Sequence, residues 1–280
     1  MRFEVRNQRM HQGRKQVPLR ETPNKGGAFA PEGIVLHDTA GALNRHSSVN
    51  WLLNPQARAS AHFVVELDGE VTQLATLDQC CWHCGPSRFG NRTNVNSFAF
   101  GIEIVNLGRM EQVAENVFKP WFKTAFHQGE NGLEFIQRTT REHGSAFWQD
   151  YRPEQIQTVL ELCRALRAAY PVKWITTHWF ISPGRKIDTN PLFPLDELRA
   201  AVLGADPSED PEVRTIANVN QRRWPSYHDN VIQVIPRGKA VEVIRSGHFS
   251  NGPEAVTELW HLVRHGEHEG WVYGDYLDTA

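Results

Sequence analysis

The sequence lacks the features that membrane spans and polyanion binding require. None of its apolar runs approaches the roughly 18 to 20 residues needed to cross a bilayer. It also lacks a basic excess, because 30 lysines and arginines are balanced by 32 aspartates and glutamates, giving a net charge of −2. Nucleic acid is therefore not expected as a partner. The hydrophobic fraction of 40% is ordinary for a globular protein.

Cysteine is scarce, with four residues in 280. Three of them, Cys80, Cys81 and Cys84, lie within "QCCWHCG", and Cys163 lies in an apolar helical pattern. The pair Cys81 and Cys84 forms a CxxC motif, which could be a redox pair or half of a structural zinc site. Because no second CxxC follows, we favour buried, unreactive thiols.

The length of the chain accommodates one large domain and one small one. Residues 1–204 are predicted to form the main domain, in which 1–28 read as an irregular arm. Residues 205–213 are rich in Asp, Glu and Pro and are typical of a linker. Short alternating strands separated by Gly, Pro and Asn then predict a small all-β barrel over 214–280.

The main domain reads as an α/β fold, a mixed β-sheet flanked by helices. A buried strand, "EGIVLHDT", carries His37 at its end, and Asp68-Gly69 marks a hairpin. "FAFGIEIVN" predicts a central strand, and the spacing in 152–171 predicts an amphipathic helix. Residues 109–150 are irregular and aromatic, and we expect an insertion that packs over the sheet or walls a cleft.

Three residues suggest a metal site. His37 ends one predicted strand, His178 ends another, and Asp188 follows ten residues later beyond a turn. Two imidazoles and a carboxylate are ligands that a catalytic zinc ion takes while keeping a fourth position for water. From the spacing alone, the alternative is that each histidine is simply hydrogen-bonded in the core or at the surface.

Five segments in order resemble the zinc-dependent N-acetylmuramoyl-L-alanine amidases of type 2, whose superfamily includes peptidoglycan-recognition proteins and phage amidase lysozymes. They are "IVLHDTAG", "SAHFVVELDGEVTQLA", "CWHCG", "FGIEIVNLG" and "TTHWFISPGRKIDTNPLFPLDELR". The resemblance covers roughly residues 25–203. It implies hydrolysis of the amide between the lactyl group of N-acetylmuramic acid and the first L-alanine of the stem peptide, with peptidoglycan or muropeptide fragments as partner.

The resemblance also implies roles for single residues. His37, His178 and Asp188 match the ligands of one zinc ion per chain, Glu103 matches the acid that takes a proton from water, and Lys186 matches a lysine that could stabilise an oxyanion.

His62 and His83 match positions near the groove and are predicted to contact substrate, with structural hydrogen bonding as the alternative. Asp38 could anchor the site or cap a turn. Relatives commonly have Asp-Pro-Gly where this chain has Asp188-Thr189-Asn190, so the turn beyond the last ligand is expected to differ.

The C-terminal segment resembles bacterial SH3 domains, which usually hold peptidoglycan. Within it, Trp260 and Trp271 are predicted to fill the core, whereas Trp224 lies in a turn-like run. The N-terminal residues lack the apolar stretch of a secretory signal. We therefore expect synthesis in the cytoplasm, with action there or delivery to the wall by a non-standard route.

Two alternatives for the whole protein stay open at this point. One is a non-catalytic recognition protein of the same fold. The other, within the enzyme reading, is a cytoplasmic amidase that recycles anhydro-muropeptides rather than one that degrades the intact wall.

Overall fold

The computed structural model of the protein describes residues 2–89, 92–140, 143–182, 184–204, 213–250 and 257–279. The elements up to residue 104 are β1 (Phe3–Arg6), β2 (Arg9–Gln12), β3 (Lys15–Gln16), β4 (Gly33–Asp38), α1 (Ser47–Leu52), β5 (Phe63–Val65), β6 (Val71–Gln73), β7 (Arg88–Phe89), β8 (Arg92–Thr93) and β9 (Ala99–Ile104). Those from 109 to 204 are β10 (Arg109–Ala114), β11 (Val117–Lys119), β12 (Phe126–His127), β13 (Phe135–Thr140), β14 (Gly144–Gln149), α2 (Pro153–Ala169), β15 (Trp174–Thr177), α3 (His178–Ile181) and α4 (Leu195–Leu203). The remaining strands are β16 (Val213–Thr215), β17 (Val219–Arg222), β18 (Val231–Ile235), β19 (Ala240–Ser250), β20 (Thr257–His265), β21 (His268–Tyr273) and β22 (Leu277–Thr279).

A five-stranded mixed sheet forms the centre of the main part, in the order β15-β4-β9-β5-β6. Its first four strands are parallel, and β6 returns antiparallel to β5 through the predicted hairpin at Asp68-Gly69. Gly69 has φ +79°, a conformation that a residue with a side chain rarely adopts. The α/β class and the central position of the strand "FAFGIEIVN" are as the sequence predicts.

Both faces of this sheet are covered. On one face, Ile34, Leu36 and Ile102 pack in a core with α2, whose Val159 and Leu162 are fully buried. Each such side chain stabilises the fold by about 1.5–3 kcal/mol relative to exposure. The opposite face includes Val35, Cys84, Phe98 and Ile181. Because side chains alternate along a strand, residues next to Leu36 and Ile102 point to this second face.

The first part of the N-terminal arm is regular, which corrects the expectation of an irregular arm over residues 1–28, whereas residues 17–28 contain no helix or extended strand. Strands β1, β2 and β3 form a three-stranded antiparallel sheet. Phe3, Met10 and Val17 are buried in the same core as α2. The alternation of Phe3 and Val5 in β1 covers only four residues, and β2 has a single apolar residue, Met10, so the periodic signal is too short to predict the strands. Packing on the helix stabilises them.

The insertion is also more regular than predicted. Residues 109–149 fold as a five-stranded antiparallel sheet in the order β12-β11-β10-β14-β13. It has its own small core of Met110, Phe118, Leu133 and Phe135. Most of the other side chains of β10 and β13 are exposed, which hides the alternation of the strands from sequence reading.

The C-terminal strands make the last part of the chain all-β. They form one sheet in the order β18-β17-β21-β20-β19-β16-β22, and the described residues do not close it into the predicted barrel. Trp260 and Trp271 are buried and Trp224 is 54% exposed, as predicted. The predicted linker lies outside the described residues except for Val213, which belongs to β16. Across the described ranges, no helix is long and apolar enough to span a membrane.

Candidate active site

The central sheet brings His37 and Glu103 side by side. Strand β4 pairs in parallel with β9, and His37 lies opposite Glu103 in the register. Both follow residues of the α2-facing core, Leu36 and Ile102, so both point to the other face. The predicted orientation of Glu103 is confirmed, and it is the one residue of β9 that is not fully buried.

His178 reaches the same place from β15. This strand pairs with β4 up to Thr177 opposite Leu36, so the next residue, His178, stands beside His37. The sequence analysis places His178 at the end of the strand, but the structure places it at the start of α3. Its carbonyl accepts a hydrogen bond from the Ser182 backbone N–H at 3.0 Å, which begins the helix. The chain then returns, and the Asp188 carbonyl accepts from Trp179 N–H at 2.6 Å.

The three predicted ligands converge on one point. The distance from His37 Nδ1 to His178 Nδ1 is 3.0 Å, from His178 Nδ1 to Asp188 Oδ2 is 2.9 Å, and from His37 Nδ1 to Asp188 Oδ2 is 3.4 Å. Ligands about 2.0–2.1 Å from a tetrahedral zinc ion are separated by about 3.3 Å. The triangle therefore has the size that one zinc ion requires.

The hydrogen bonds of His178 fix which of its nitrogens faces this point. His178 Nε2 lies 3.0 Å from the Cys84 carbonyl, which can only accept, and 3.3 Å from an Arg185 guanidinium nitrogen, which can only donate. The shorter contact, to the carbonyl, is a hydrogen bond when Nε2 carries the proton. Its Nδ1 is then left with a lone pair.

A second chain of hydrogen bonds does the same for His37. His83 Nε2 donates to the Ala99 carbonyl at 3.0 Å, so His83 Nδ1 accepts from His37 Nε2 at 3.0 Å. His37 Nδ1 is left with a lone pair as well.

The protonation of the triangle favours a cation. Burial and, to a smaller extent, the neighbouring His178 lower the pKa of His37 to about 4. Burial alone would raise the pKa of Asp188, but its close contacts with His178 Nδ1 and His37 Nδ1 outweigh burial and hold that pKa well below its ordinary value. An ionised carboxylate so close to two ring nitrogens needs a proton or a metal ion among them, and the donor set fits zinc.

Glu103 and Lys186 lie beside the triangle. Burial, followed by the charges of Asp188 and Asp38, raises the pKa of Glu103 to about 8, and Lys186 opposes the rise. Among the described residues, the Glu103 carboxyl group has no hydrogen-bond partner. The charge of Lys186 also lowers the pKa of His37, so its ammonium group acts on the same site. A pKa of about 8 leaves this carboxyl group mostly protonated at pH 7 in the zinc-free site, and the charge of a bound cation would favour the ionised form that can take up a proton.

Asp38 anchors the loop that carries Asp188. Its carboxylate accepts from the Tyr151 hydroxyl and from Asn190 N–H, the latter at 2.9 Å. The Asn190 side chain donates to the Gln149 carbonyl at 3.1 Å. Sequence reasoning offered an anchor as one role for Asp38, but it missed Tyr151, whose position 113 residues away has no local signal. Asn190 gives the Asp-Thr-Asn turn its own support in place of Pro-Gly.

His62 and His83 lie behind the site rather than in its opening. The His62 ring is fully buried, its Nδ1 accepts from Gly101 N–H at 3.0 Å, and its Nε2 donates to the Gln79 carbonyl at 2.9 Å. Burial lowers the pKa of His62 to about 4. Both histidines are occupied by protein groups, which is the structural alternative to substrate contact.

The four cysteines are free and buried. Cys84 Sγ lies 3.1 Å from His83 Nδ1, and these two residues with His37 form a second set of closely spaced donor atoms. This second set would use His37 Nε2 rather than Nδ1, and all three of its residues are buried. Burial raises the pKa of the Cys84 thiol well above its ordinary value, so the second set lacks a ready anion.

The inserted sheet borders the site on two sides. Trp121 is 72% exposed, and its indole Nε1–H donates to the Ala40 carbonyl at 2.6 Å, three residues beyond His37. On the other side, His143 Nε2 donates to the Ile187 carbonyl at 3.1 Å, between Lys186 and Asp188. These two contacts place parts of the insertion next to the segments that follow His37 and precede Asp188, and whether the insertion walls a cleft stays a prediction.

Sites of this kind lie where parallel strands of an α/β sheet end, and His37, Glu103 and His178 all lie there. The fold and the site together define an α/β protein whose histidines and carboxylates resemble the donor sets of metal-dependent hydrolases. Within that class the chain belongs to the N-acetylmuramoyl-L-alanine amidase family, whose model matches residues 27–191.

Individual relatives agree with the family. The N-acetylmuramoyl-L-alanine amidase AmiD of Escherichia coli is 28% identical over 62% of this chain and 54% of its own length. The 1,6-anhydro-N-acetylmuramyl-L-alanine amidase AmpD of Salmonella typhimurium is 28% identical over 52% of this chain and 58% of its own. The chain thus spans little more than half the length of these curated relatives.

Two solved amidase structures are similar to part of this chain. A complex of AmiD from E. coli with the substrate anhydro-N-acetylmuramic acid-L-Ala-D-gamma-Glu-L-Lys has a TM-score of 0.46 and 22% identity, covering 73% of this chain and 66% of that one. A crystal structure of an AmpD derivative has a TM-score of 0.43 and 22% identity, covering 66% of this chain and 94% of that one.

Proposed function

We propose that the protein is a zinc-dependent N-acetylmuramoyl-L-alanine amidase that hydrolyses the amide between the lactyl group of N-acetylmuramic acid and the first L-alanine of the stem peptide. The observation that carries the proposal is the triangle of His37, His178 and Asp188 donor atoms with Glu103 beside it. Family membership supports the reaction.

His37, His178 and Asp188 would hold the zinc ion through two Nδ1 atoms and a carboxylate oxygen. When bound, zinc lowers the pKa of a water and polarises the carbonyl to be attacked. Glu103 takes the proton that the attacking water loses and delivers it to the alanine nitrogen as the C–N bond breaks. Lys186 places a positive charge where the carbonyl oxygen becomes negative. The products are the lactyl carboxylate and a free stem peptide.

We propose that the inserted sheet forms the wall of the substrate groove. Its two contacts, Trp121 with Ala40 and His143 with Ile187, reach the loops on either side of the zinc ligands. Because the indole N–H is already bonded, Trp121 offers a fixed apolar face to the sugar or the peptide.

Muropeptides of the anhydro type are the proposed substrate. The relative AmpD is a 1,6-anhydro-N-acetylmuramyl-L-alanine amidase, which supports a recycling role. The segment 214–280 lies beyond the family match, and we propose that it is an SH3-like wall-binding domain following a linker. Its exposed Trp224 supports contact with polymer, so sacculi are the second substrate to test.

The test is the identification of products from a soluble anhydro-muropeptide and from purified sacculi, with and without a chelator. We expect mass spectrometry to find free stem peptide beginning with L-alanine from the soluble substrate, in a chelator-sensitive reaction. Faster release from sacculi would reverse the order of substrates. Zinc binding without cleavage of either substrate would indicate a recognition protein and contradict the proposal.

A further inference from the structure

We propose that the dipeptide His83-Cys84 is a clamp that fixes the orientation of both zinc histidines, and that His83 is a positioning residue rather than a substrate contact. The inference rests on the zinc site of the proposed function. It also explains why the sequence "CWHCG" lies beside the site although neither cysteine belongs to the proposed ligand set. The clamp acts through one side chain and one backbone carbonyl.

The side chain holds His37. His83 Nδ1 accepts from His37 Nε2 at 3.0 Å, and His83 Nε2 donates to the Ala99 carbonyl at 3.0 Å. The backbone carbonyl determines the proton position on His83, and His83 in turn determines it on His37. Without this acceptor, His37 could carry its proton on Nδ1, where it cannot bind a metal ion.

The carbonyl holds His178. Cys84 O accepts from His178 Nε2 at 3.0 Å and also from the Arg185 guanidinium at 2.5 Å. This contact uses the backbone of Cys84 and not its thiol, so any residue that keeps the backbone in place preserves it.

Asn96 holds the backbone of the clamp in place. The Asn96 side-chain oxygen accepts from His83 N–H at 3.0 Å and from Cys84 N–H at 2.8 Å. One amide group therefore sets the backbone of both residues that orient the ligands. Asn96 is 9% exposed and lies 12 residues from Cys84, in the short 3-10 helix Val95–Ser97, and no local pattern singles it out.

Gly101 provides the space for the His83 ring. A Cβ atom built at Gly101 would lie 2.5 Å from His83 Cγ and 2.7 Å from its Nδ1. Contacts this short do not occur, so a side chain at 101 has to move the ring away from His37. The glycine in "FGIE" is thus part of the clamp, two residues before Glu103 in the same strand.

The experiment measures zinc affinity by competition with a chelator in the full-length protein. The matched pair is His83→Asn and His83→Leu. The two new side chains are close in size, but only the asparagine has an oxygen that can accept the hydrogen bond from His37. We expect His83→Leu to bind zinc about 10- to 100-fold more weakly, as removal of such partners typically does. His83→Asn should lose clearly less. Equal affinity of His83→Leu and the wild type would overturn the inference.

Gly101→Ala tests the same contact without altering the hydrogen-bonding groups. We expect it to weaken zinc binding in the wild type but not in a His83→Ala background, where the added methyl group enters the space that the ring leaves. An equal loss in both backgrounds would contradict a role through His83. This cycle stays informative if His83→Leu fails to fold.

Cys84→Ala retains the carbonyl that holds His178 and removes only the thiol, 3.1 Å from His83 Nδ1, so it should change zinc affinity much less than His83→Leu does. Cobalt substitution adds a second readout, since a thiolate ligand gives a charge-transfer band that histidine and aspartate do not. Such a band, lost in Cys84→Ala, would mean that the metal occupies the second donor set and would overturn the clamp. If the wild type binds no zinc at all, the proposed function fails instead.

Discussion

Replacement of Glu103 by Gln separates chemistry from structure at this site. Among the described residues, the Glu103 carboxyl group has no hydrogen-bond partner, and it is not one of the proposed ligands. The substitution keeps the size of the side chain and breaks no contact. We therefore expect the fold and the zinc content to be unchanged while the ability to accept a proton is lost.

The expected loss in turnover is about 10²- to 10⁴-fold, as for other general bases. At 1.36 kcal/mol for each factor of ten, this is about 2.7–5.4 kcal/mol of barrier. The assay is the steady-state release of stem peptide, with zinc per chain measured on the same samples. Near-normal turnover with full zinc would refute the assignment of Glu103 as the base.

The same variant has a thermodynamic signature in the zinc-free protein. Burial raises the pKa of Glu103 from 4.5 to about 8, so folding disfavours its ionised form between these values. Stability is therefore lost as the pH rises through this window in the wild type. Glu103→Gln removes that loss, and thermal unfolding at pH 7 with a chelator should occur at the same temperature or higher. A large decrease would show that Glu103 makes a structural contact.

Four further predictions follow from the site and its surroundings. His178→Ala should not retain one zinc ion per chain, and full retention would show that the ligands are wrong. Lys186→Met should lower kcat by about 10²- to 10³-fold. Because Lys186 lowers the pKa of Glu103, the acid limb of the pH–rate profile should also move to higher pH in this variant. An unshifted profile would mean that Lys186 does not act on Glu103. Trp121→Ala should raise KM for the soluble fragment about fivefold, corresponding to roughly 1 kcal/mol, whereas an unchanged KM would remove Trp121 from the groove. Trp224→Ala should weaken sedimentation with sacculi while leaving hydrolysis of the soluble fragment unchanged, and the reverse pattern would contradict wall binding by the C-terminal sheet.

The sequence predicts those parts of the site that depend on local pattern. A polar residue near the end of an apolar strand, such as His37, is predicted to lie where the strands of the sheet end. Because side chains alternate along a strand, Glu103 likewise points to the face of the sheet opposite to the face of Ile102, whatever the surrounding fold. The burial of Trp260 and Trp271 follows from the apolar segments that carry them.

What sequence reasoning misses depends on partners that are distant in the chain. Tyr151 and Asn190 meet at Asp38, and Asn96 supports His83 and Cys84, which contact His37 and His178, although no spacing connects any of them. The strands of the N-terminal arm and of the insertion were missed for a related reason. Their side chains are mostly polar, and packing against distant elements rather than β-propensity stabilises them.

The central claim is that one zinc ion, held by His37, His178 and Asp188, serves hydrolysis of the lactyl amide. The most direct test is to strip the protein of metal with a chelator, remove the chelator, and titrate zinc back while stem-peptide release from an anhydro-muropeptide is measured. The account predicts no cleavage at zero zinc and a linear rise that ends at one zinc per chain. Full cleavage by the stripped protein, or no cleavage after zinc is bound, would contradict it.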